Sequence, residues 1–520
     1  MSHLSPSTIS ASPRRRRTPC FVMPLLVVGL AVLALAGLGA GDARAQTPNA
    51  SFALIGHIES LRLDDPGDPL SSGSARVKGL EVVLPRNLLI TMPGQYLTLH
   101  DLFRGPHPGS APGLASVRAD SGLALADDPP PPVPYEMHVN GNIVDGRYVA
   151  ALARIVQMDL GQGAGFVRAI DPGKGELLIG ARRDSAETPA RTAERDGASA
   201  RVRLNDPAGI HGKPNADKFA GADPFDERFA LDPQNASVVA LTGFPMCIPR
   251  STPDAACPAG NRAPAPNSTR FTCGPIQAEP SSPRLPGCDP ARKAPLRVGD
   301  YVTYAGMLVR DPGSPGRFMV AAHALVADVG IYTSPGSNPA YVFIEEGLMG
   351  MLGEPFAGVD QEETSRFRTV GFTTDPSRDV DVMLVDVNSA GDTTERLLTT
   401  LTPARAGQIG RVRVTLPSKA NFLAVTRDLR YRISGVPAGR AEYTAPIGEY
   451  IYPEATRFGQ ASAPFALPVP VENFCVLAKG GGRLDTLGRT DGPAIGRLDP
   501  YPESGHPNAQ PRADGTASCE

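Results

Sequence analysis

Two stretches of the chain repeat one another. Gly141-Asn142-Ile143-Val144 runs into an Asp145-Gly146 turn, and Gly146-Arg147-Tyr148 opens a second apolar run that reaches Val156. Further on, Gly306-Met307-Leu308-Val309-Arg310 meets a Pro/Gly turn, and Gly316-Arg317-Phe318 opens an apolar run to Val326. Each is a strand of small and apolar residues, a tight turn and a Gly-Arg-aromatic return, which spells a β-hairpin. A recurring hairpin points to a chain assembled from related β units. Composition agrees. With 55 glycines and 54 prolines in 520 residues, turns come too often for a helical bundle, and an all-β protein is expected.

The start of the chain reads as an export address. Arg14 to Arg17 precede an apolar run from Phe21 to Ala40, and Ala43-Arg44-Ala45 supplies the small-x-small cleavage pattern. Residues 1–45 are therefore expected to be a signal peptide, with Gln46 as the mature N-terminus. The competing reading is a retained anchor, because the run is about long enough to span a bilayer. Gly29, Gly37, Gly39 and Gly41 thin it out, and no later stretch approaches a span. The expected location is outside the cytoplasm, secreted or in the periplasm or cell envelope.

Cysteine usage fits that address. Cys20 leaves with the signal, and Cys247, Cys257, Cys273, Cys288, Cys475 and Cys519 remain. Six cysteines allow 15 connectivities. Local pairs are preferred: Cys247 with Cys257, Cys273 with Cys288, and Cys475 with Cys519 across the tail. Zinc is the competing reading, but the spacings lack the C-x-x-C knuckles of structural sites.

Hydrophobic patterning then divides the mature chain. Residues 51–103 form a first β unit, with Thr98 capping a helical turn near Phe103. Residues 104–134 form a Pro/Gly linker, residues 135–200 a second β unit, and 201–295 an irregular cystine-rich segment. A third β unit covers 296–345, a β-sandwich 360–475 and a flexible tail 476–520. Within these, Arg182 to Ala198 is expected to be a mobile loop, and Gly306 to mark a bulge or a sharp bend in its strand.

The strand, Gly-Asp turn, bent strand and return strand of Leu296 to Val326 resemble the opening of an OB-type barrel. The short strands Phe367–Phe372, Val380–Val387, Gly410–Leu416, Asn421–Thr426 and Leu429–Ser434 resemble an immunoglobulin-like sandwich. The implied architecture is several small OB-like barrels in tandem followed by a β-sandwich. The chain as a whole resembles uncharacterised secreted proteins of bacteria and fungi. That likeness rests on Leu84-Pro85-Arg86-Asn87-Leu88-Leu89, Leu204-Asn205-Asp206-Pro207, Gly243-Phe244-Pro245-Met246-Cys247-Ile248-Pro249-Arg250 and Gly371-Phe372-Thr373-Thr374-Asp375-Pro376-Ser377-Arg378. It implies a shared architecture and no assigned chemistry.

Catalytic patterns are missing from the sequence: no G-x-S-x-G elbow, no H-E-x-x-H and no Walker loop. Gly161 to Gly165 leads into a strand rather than a helix, so it is a turn and not a phosphate cradle. His57 and His138 sit on alternating strands, and His323 lies in an apolar one. His211, followed by Asp217, Asp223 and Asp226, lies in a carboxylate-rich loop that reads either as a calcium site or as a solvated turn.

Asp375, Asp379, Asp381 and Asp386 form a second acidic cluster. Asp375, Asp379 and Asp381 are the candidate metal ligands, for calcium; the alternative is a charged edge that discourages strand addition. No other cofactor is expected. Glu345-Glu346 and Glu362-Glu363 are acidic pairs of the same ambiguity. Tyr148, Tyr301, Tyr304 and Phe318 could form an aromatic platform for sugar or could fill barrel interiors. A net charge of −3, 6% aromatic residues and export argue against nucleic acid. The expected function is a binding or structural module with an extracellular partner, a polysaccharide or a protein, and no membrane span after signal cleavage. The alternative is an extracellular hydrolase with a loop-built active site, in which His211 or another histidine would meet a carboxylate and a nucleophile.

Overall fold

The computed structural model describes residues 50–104, 117–157, 161–215, 225–232, 234–311, 314, 316–351, 365–387, 393–417, 426–440, 446–452, 482–483, 494–495 and 498–500. The expected signal peptide, Cys475, Cys519, Asp217, Asp223, Glu362-Glu363, most of the expected strand Asn421–Thr426 and nearly all of the expected tail lie outside them.

The described residues are nearly all β, and the first five long strands close on themselves. They are β1 (Ala50–Leu63), β2 (Gly73–Val77), β3 (Leu80–Leu84), β4 (Glu136–Val144) and β5 (Arg147–Val156). Their cyclic order is β1-β2-β3-β5-β4-β1, and a parallel pairing of Val82 with Tyr148 completes the ring. Alternation along each strand sends Ile58, Val77, Val82, Met137, Val139 and Ile155 inward. Between β3 and β4 lies the short helix α1 (Leu99–Arg104). Thr98 caps it as expected: its hydroxyl accepts from Asp101 N at 3.1 Å, and the Asp101 carboxylate accepts from Thr98 N at 3.3 Å.

A second ring follows in the same order. It uses β6 (Gln162–Asp171), β7 (Glu176–Gly180), β8 (Ala200–Leu204), β9 (Tyr301–Arg310) and β10 (Phe318–Ala327), and a parallel pairing of Val202 with Val320 closes it. The two rings match strand for strand. Val82 meets Tyr148 where Val202 meets Val320, and the fourth strand of each shifts register at one glycine, Gly141 or Gly306. A Cβ on Gly141 would lie 2.0 Å from the Val149 carbonyl oxygen, and one on Gly306 2.3 Å from that of Ala321. Only glycine allows this approach; the extra residue stands opposite it on the fifth strand, Ala151 or His323, so the irregularity expected at Gly306 is present and is itself repeated. Opposite Ile143 stands Tyr148, but opposite the matching Leu308 stands Val320, two residues beyond Phe318. The second hairpin is therefore longer, and an even offset keeps each face where it was.

This pairing regroups the units read from the sequence. Residues 135–156 complete the barrel begun at residue 50 and do not open a second one. Residues 296–345 contain no third barrel, because β9 and β10 close the second against β6 and β8. The described part of the expected linker, 117–134, also packs inward, with Leu123 and Ala124 in the first barrel's core. The Asp127 carboxylate holds that turn by accepting from Leu123 N and Ala124 N at 2.9 and 3.0 Å. Met307, Val309, Met319 and Ala321 join the same apolar cluster, so the barrels pack side by side.

The cystine-rich segment lies between β8 and β9 and adds Phe244, Met246, Ile248, Phe271 and Leu296 to the second core. Disulfides join Cys247 to Cys257 and Cys273 to Cys288, the expected local pairs. Each contributes about 2–4 kcal/mol by restricting the unfolded chain.

The last region is a two-sheet sandwich. β11 (Val342–Met351), β12 (Ser365–Thr373) and β15 (Arg411–Pro417) make one sheet. β14 (Thr393–Leu401), β13 (Val380–Val387), β16 (Thr426–Ile433) and β17 (Glu449–Tyr452) make the other. Phe367 and Val412 from the first meet Val382, Leu384 and Leu429 from the second in a shared core. Among the described residues, no helix is long and apolar enough to cross a membrane.

Candidate functional site

Both barrels carry an extra residue in the first strand, at the same place. In β1, Ile58 pairs with Val77 and Ser60 with Arg76, which leaves Glu59 unpaired between them. In β6, Val167 pairs with Ile179 and Ala169 with Leu178, which leaves Arg168. A bulge of this kind bends the strand and re-aims the side chain of its extra residue. What that side chain meets differs between the barrels, because the connection from second to third strand differs.

In the first barrel that connection is Lys78-Gly79, a tight turn with both φ angles positive (50° and 74°). Nothing from it folds back, and among the described residues the outer face of β1, β2 and β3 stays open. Arg62 and Arg76 lie there with side chains 63% and 59% exposed. Glu59 accepts from Arg76 Nε at 3.2 Å and from Gly79 N at 2.9 Å, and Arg62 pairs with Asp64.

In the second barrel the connection is residues 181–199, and it carries a helix, α2 (Pro189–Gly197). The expectation of a mobile loop here is corrected. Thr188 caps the helix, Pro189 occupies the first turn where its missing N–H costs nothing, and Ala198 N donates to Glu194 O. No α2 side chain is buried. Polar contacts hold the helix down instead. Arg168, 0% exposed, donates from Nε to Asp196 Oδ1 at 2.6 Å, from Nη2 to Glu187 Oε2 at 2.8 Å and from Nη1 to the Ala181 carbonyl at 2.8 Å. Arg195 Nη1 reaches the other Glu187 oxygen at 2.7 Å. Hydrogen bonding to Arg168 pulls the Glu187 carboxyl down to about 2. Arg317, in the β9–β10 turn, donates to Gly197 O at 3.3 Å and ties the helix end to a second loop.

Beside this cap lies an aromatic pair. Phe166 and Tyr301 meet edge to face at 5.1 Å, Tyr301 is 39% exposed, and the Arg182 guanidinium sits 5.8 Å from the Phe166 ring. The other expected aromatics do not join it. Tyr148 packs on Phe52, the Tyr304 ring fills the space over Gly163, and Phe318 lies under Arg310.

The remaining candidates are elsewhere. His211 is buried and does not face solvent as a loop ligand would. Its Nδ1 lies 2.8 Å from the Met246 carbonyl, and burial, with the nearby Lys293 ammonium, pulls the ring down to about 4. The Asp206 carboxylate accepts from the backbone N–H groups of Ile210, His211 and Gly212, so it shapes the loop rather than orienting the imidazole. Burial pushes that carboxyl up and pulls the buried Lys293 amine down to about 8. Asp226 is spent on Arg228, at 2.6 Å. Among the described residues, His57 is the histidine nearest a carboxylate, 3.7 Å from Glu136, at an exposed position. His138 and His323 each have a buried ring nitrogen without a hydrogen-bond partner.

In the acidic cluster, the carboxylates of Asp375 and Asp381 are engaged within the protein. Buried Asp375 accepts from Gly336 N at 2.9 Å and from Ser377 Oγ at 2.6 Å, with Arg378 at 3.4 Å, so its oxygens tie a turn. Asp379 enters through its carbonyl, which accepts from Ser434 N at 2.9 Å. Asp381 accepts from Thr400 Oγ1 at 2.7 Å and from Ser434 Oγ at 3.1 Å. Among the described residues no three such side chains converge as a metal site requires. Sequence reasoning missed Arg168 and Glu187. The signal for the cap was Thr188-Pro189, an N-cap followed by N1 proline.

Against this geometry, no family profile, no curated protein and no solved structure matches the chain.

Proposed function

We propose that this is an exported binding module that holds an extracellular oligosaccharide on its first barrel. In this reading the barrels are OB-type, since five strands closed in the order 1-2-3-5-4 are that fold's arrangement, and its ligands lie across strands 2 and 3. The sandwich is immunoglobulin-like, with strands one, two and five facing three, six and seven and with the fourth moved to the second sheet. The observation that carries the proposal is the open outer face of β1–β3, with Arg62, Arg76 and Glu59 presented to solvent. Exposed guanidinium and carboxylate groups suit sugar hydroxyls, which both donate and accept. Two disulfides are compatible with an oxidising compartment. Against the hydrolase alternative stands His211, whose ring meets a backbone carbonyl and not a carboxylate.

The test is titration of the chain from Gln46 onward with a panel of neutral and acidic oligosaccharides. Replacing Arg62 and Arg76 together by alanine should weaken binding at least about tenfold while the circular dichroism spectrum is kept. Unchanged affinity in that variant, or turnover of the saccharide, would overturn the reading.

A further inference from the structure

We infer that the outer face of β6–β8 is a second binding face, built for a carboxylate-bearing oligosaccharide, and that α2 occupies it as an internal stand-in. This rests on the oligosaccharide reading above and adds the ligand's charge and a control on access to it. Three independent observations carry it.

The first is the repeat. The equivalent face of the first barrel is open, so covering it is not a requirement of the fold; the nineteen residues 181–199 replace a two-residue turn. The second is how α2 is held. A helix docked for stability buries an apolar stripe, and α2 buries no side chain. Its anchors are two carboxylates, Glu187 and Asp196, set on the fork of the bulge residue Arg168. A guanidinium presenting parallel N–H donors is the side chain best shaped for carboxylate recognition, so what α2 offers Arg168 is the chemistry an acidic ligand would offer. The third is the neighbour. Phe166 precedes Arg168 by two residues and pairs with Gly180, where an added Cβ would lie 3.2 Å from Arg168 Cδ, so the Phe166–Tyr301 pair and the arginine adjoin. An exposed Tyr301 ring packed on half-buried Phe166, beside a carboxylate reader, suits a sugar ring that carries an acid group. An acidic peptide would use the arginine and leave the rings idle.

The experiment titrates the chain from Gln46 onward with oligogalacturonate, with its neutral methyl ester and with poly-glutamate, at low salt. Glu187→Gln combined with Asp196→Asn should tighten oligogalacturonate binding at least about tenfold and leave the methyl ester unchanged. Adding Tyr301→Ala should remove that gain. Hydrogen exchange on the unaltered protein guards against a variant that misfolds: saturating oligogalacturonate should speed exchange of the α2 amides. The inference falls if ligand slows or does not change α2 exchange, or if poly-glutamate matches oligogalacturonate and Tyr301→Ala has no effect. Binding that depends on Arg62 and Arg76 but not on α2 sinks this inference alone. Absence of all saccharide binding sinks the reading beneath it as well.

Discussion

The two barrels close in the same strand order and bulge at the same position, yet the bulge residue is used in opposite ways. Glu59 stays near solvent, engaged by Arg76 and a turn amide, whereas Arg168 is fully buried under a helix that its own barrel supplies. The difference lies in one connection, two residues long in the first barrel and nineteen in the second. It teaches that the barrel core and its outer face are separable. Strands alternate, so the inward residues can hold the fold while a loop between them rewrites the surface. It also shows where the second barrel concentrates its electrostatics. A buried arginine with two carboxylates gains little net stability over an apolar contact, but it is costly to break.

That asymmetry gives the largest expected effect. Arg168→Met leaves Asp196 without its cation and Glu187 with Arg195 alone, and should destabilise the protein by about 3 kcal/mol. Glu59→Gln, at the matching position of the first barrel, removes a solvent-screened pair and should cost under about 1 kcal/mol. Urea denaturation of both variants checks the contrast, and equal losses would break it. A smaller effect tests the likeness instead of the difference. Gly141→Ala and Gly306→Ala each press a methyl against a backbone carbonyl and should cost about 1–3 kcal/mol, similar in the two barrels. If one is tolerated and the other is not, the bulges are not equivalent.

Much of this was legible in the residues themselves. The duplicated hairpins, the bulge at Gly306, the cap at Thr98 and the local disulfides all depend on neighbours within about twenty residues, where sequence patterns carry information. The grouping of strands was not legible. β1 pairs with β4 across more than seventy residues and β8 with β10 across more than a hundred, and alternation says which face is buried without naming the partner strand. The helix α2 was missed for a related reason. A helix that buries nothing needs no apolar core stripe, so within Arg182 to Ala198 the readable signal was the Thr188-Pro189 start alone. Arg168 looked like any polar residue on a half-exposed strand, because a bulge leaves no mark in composition. The acidic cluster could not be decided from sequence, because Asp375 serves a turn, and turn-forming and metal-binding aspartates have the same spacing.

The second barrel carries a cap held by ion pairs where the first has a two-residue turn. Glu187 is the group to titrate. Its carboxyl is held near 2 in the folded protein against an ordinary value of 4.5, so its grip on Arg168 is complete above about 4.5 and is lost as the pH falls toward 2. Hydrogen-exchange protection factors across that window show whether the cap opens without the barrel, as this account requires. The α2 amides, Thr192 to Ala198, should lose protection first while those of β7 and β8 keep theirs. Loss of α2 protection only together with the whole barrel would contradict it.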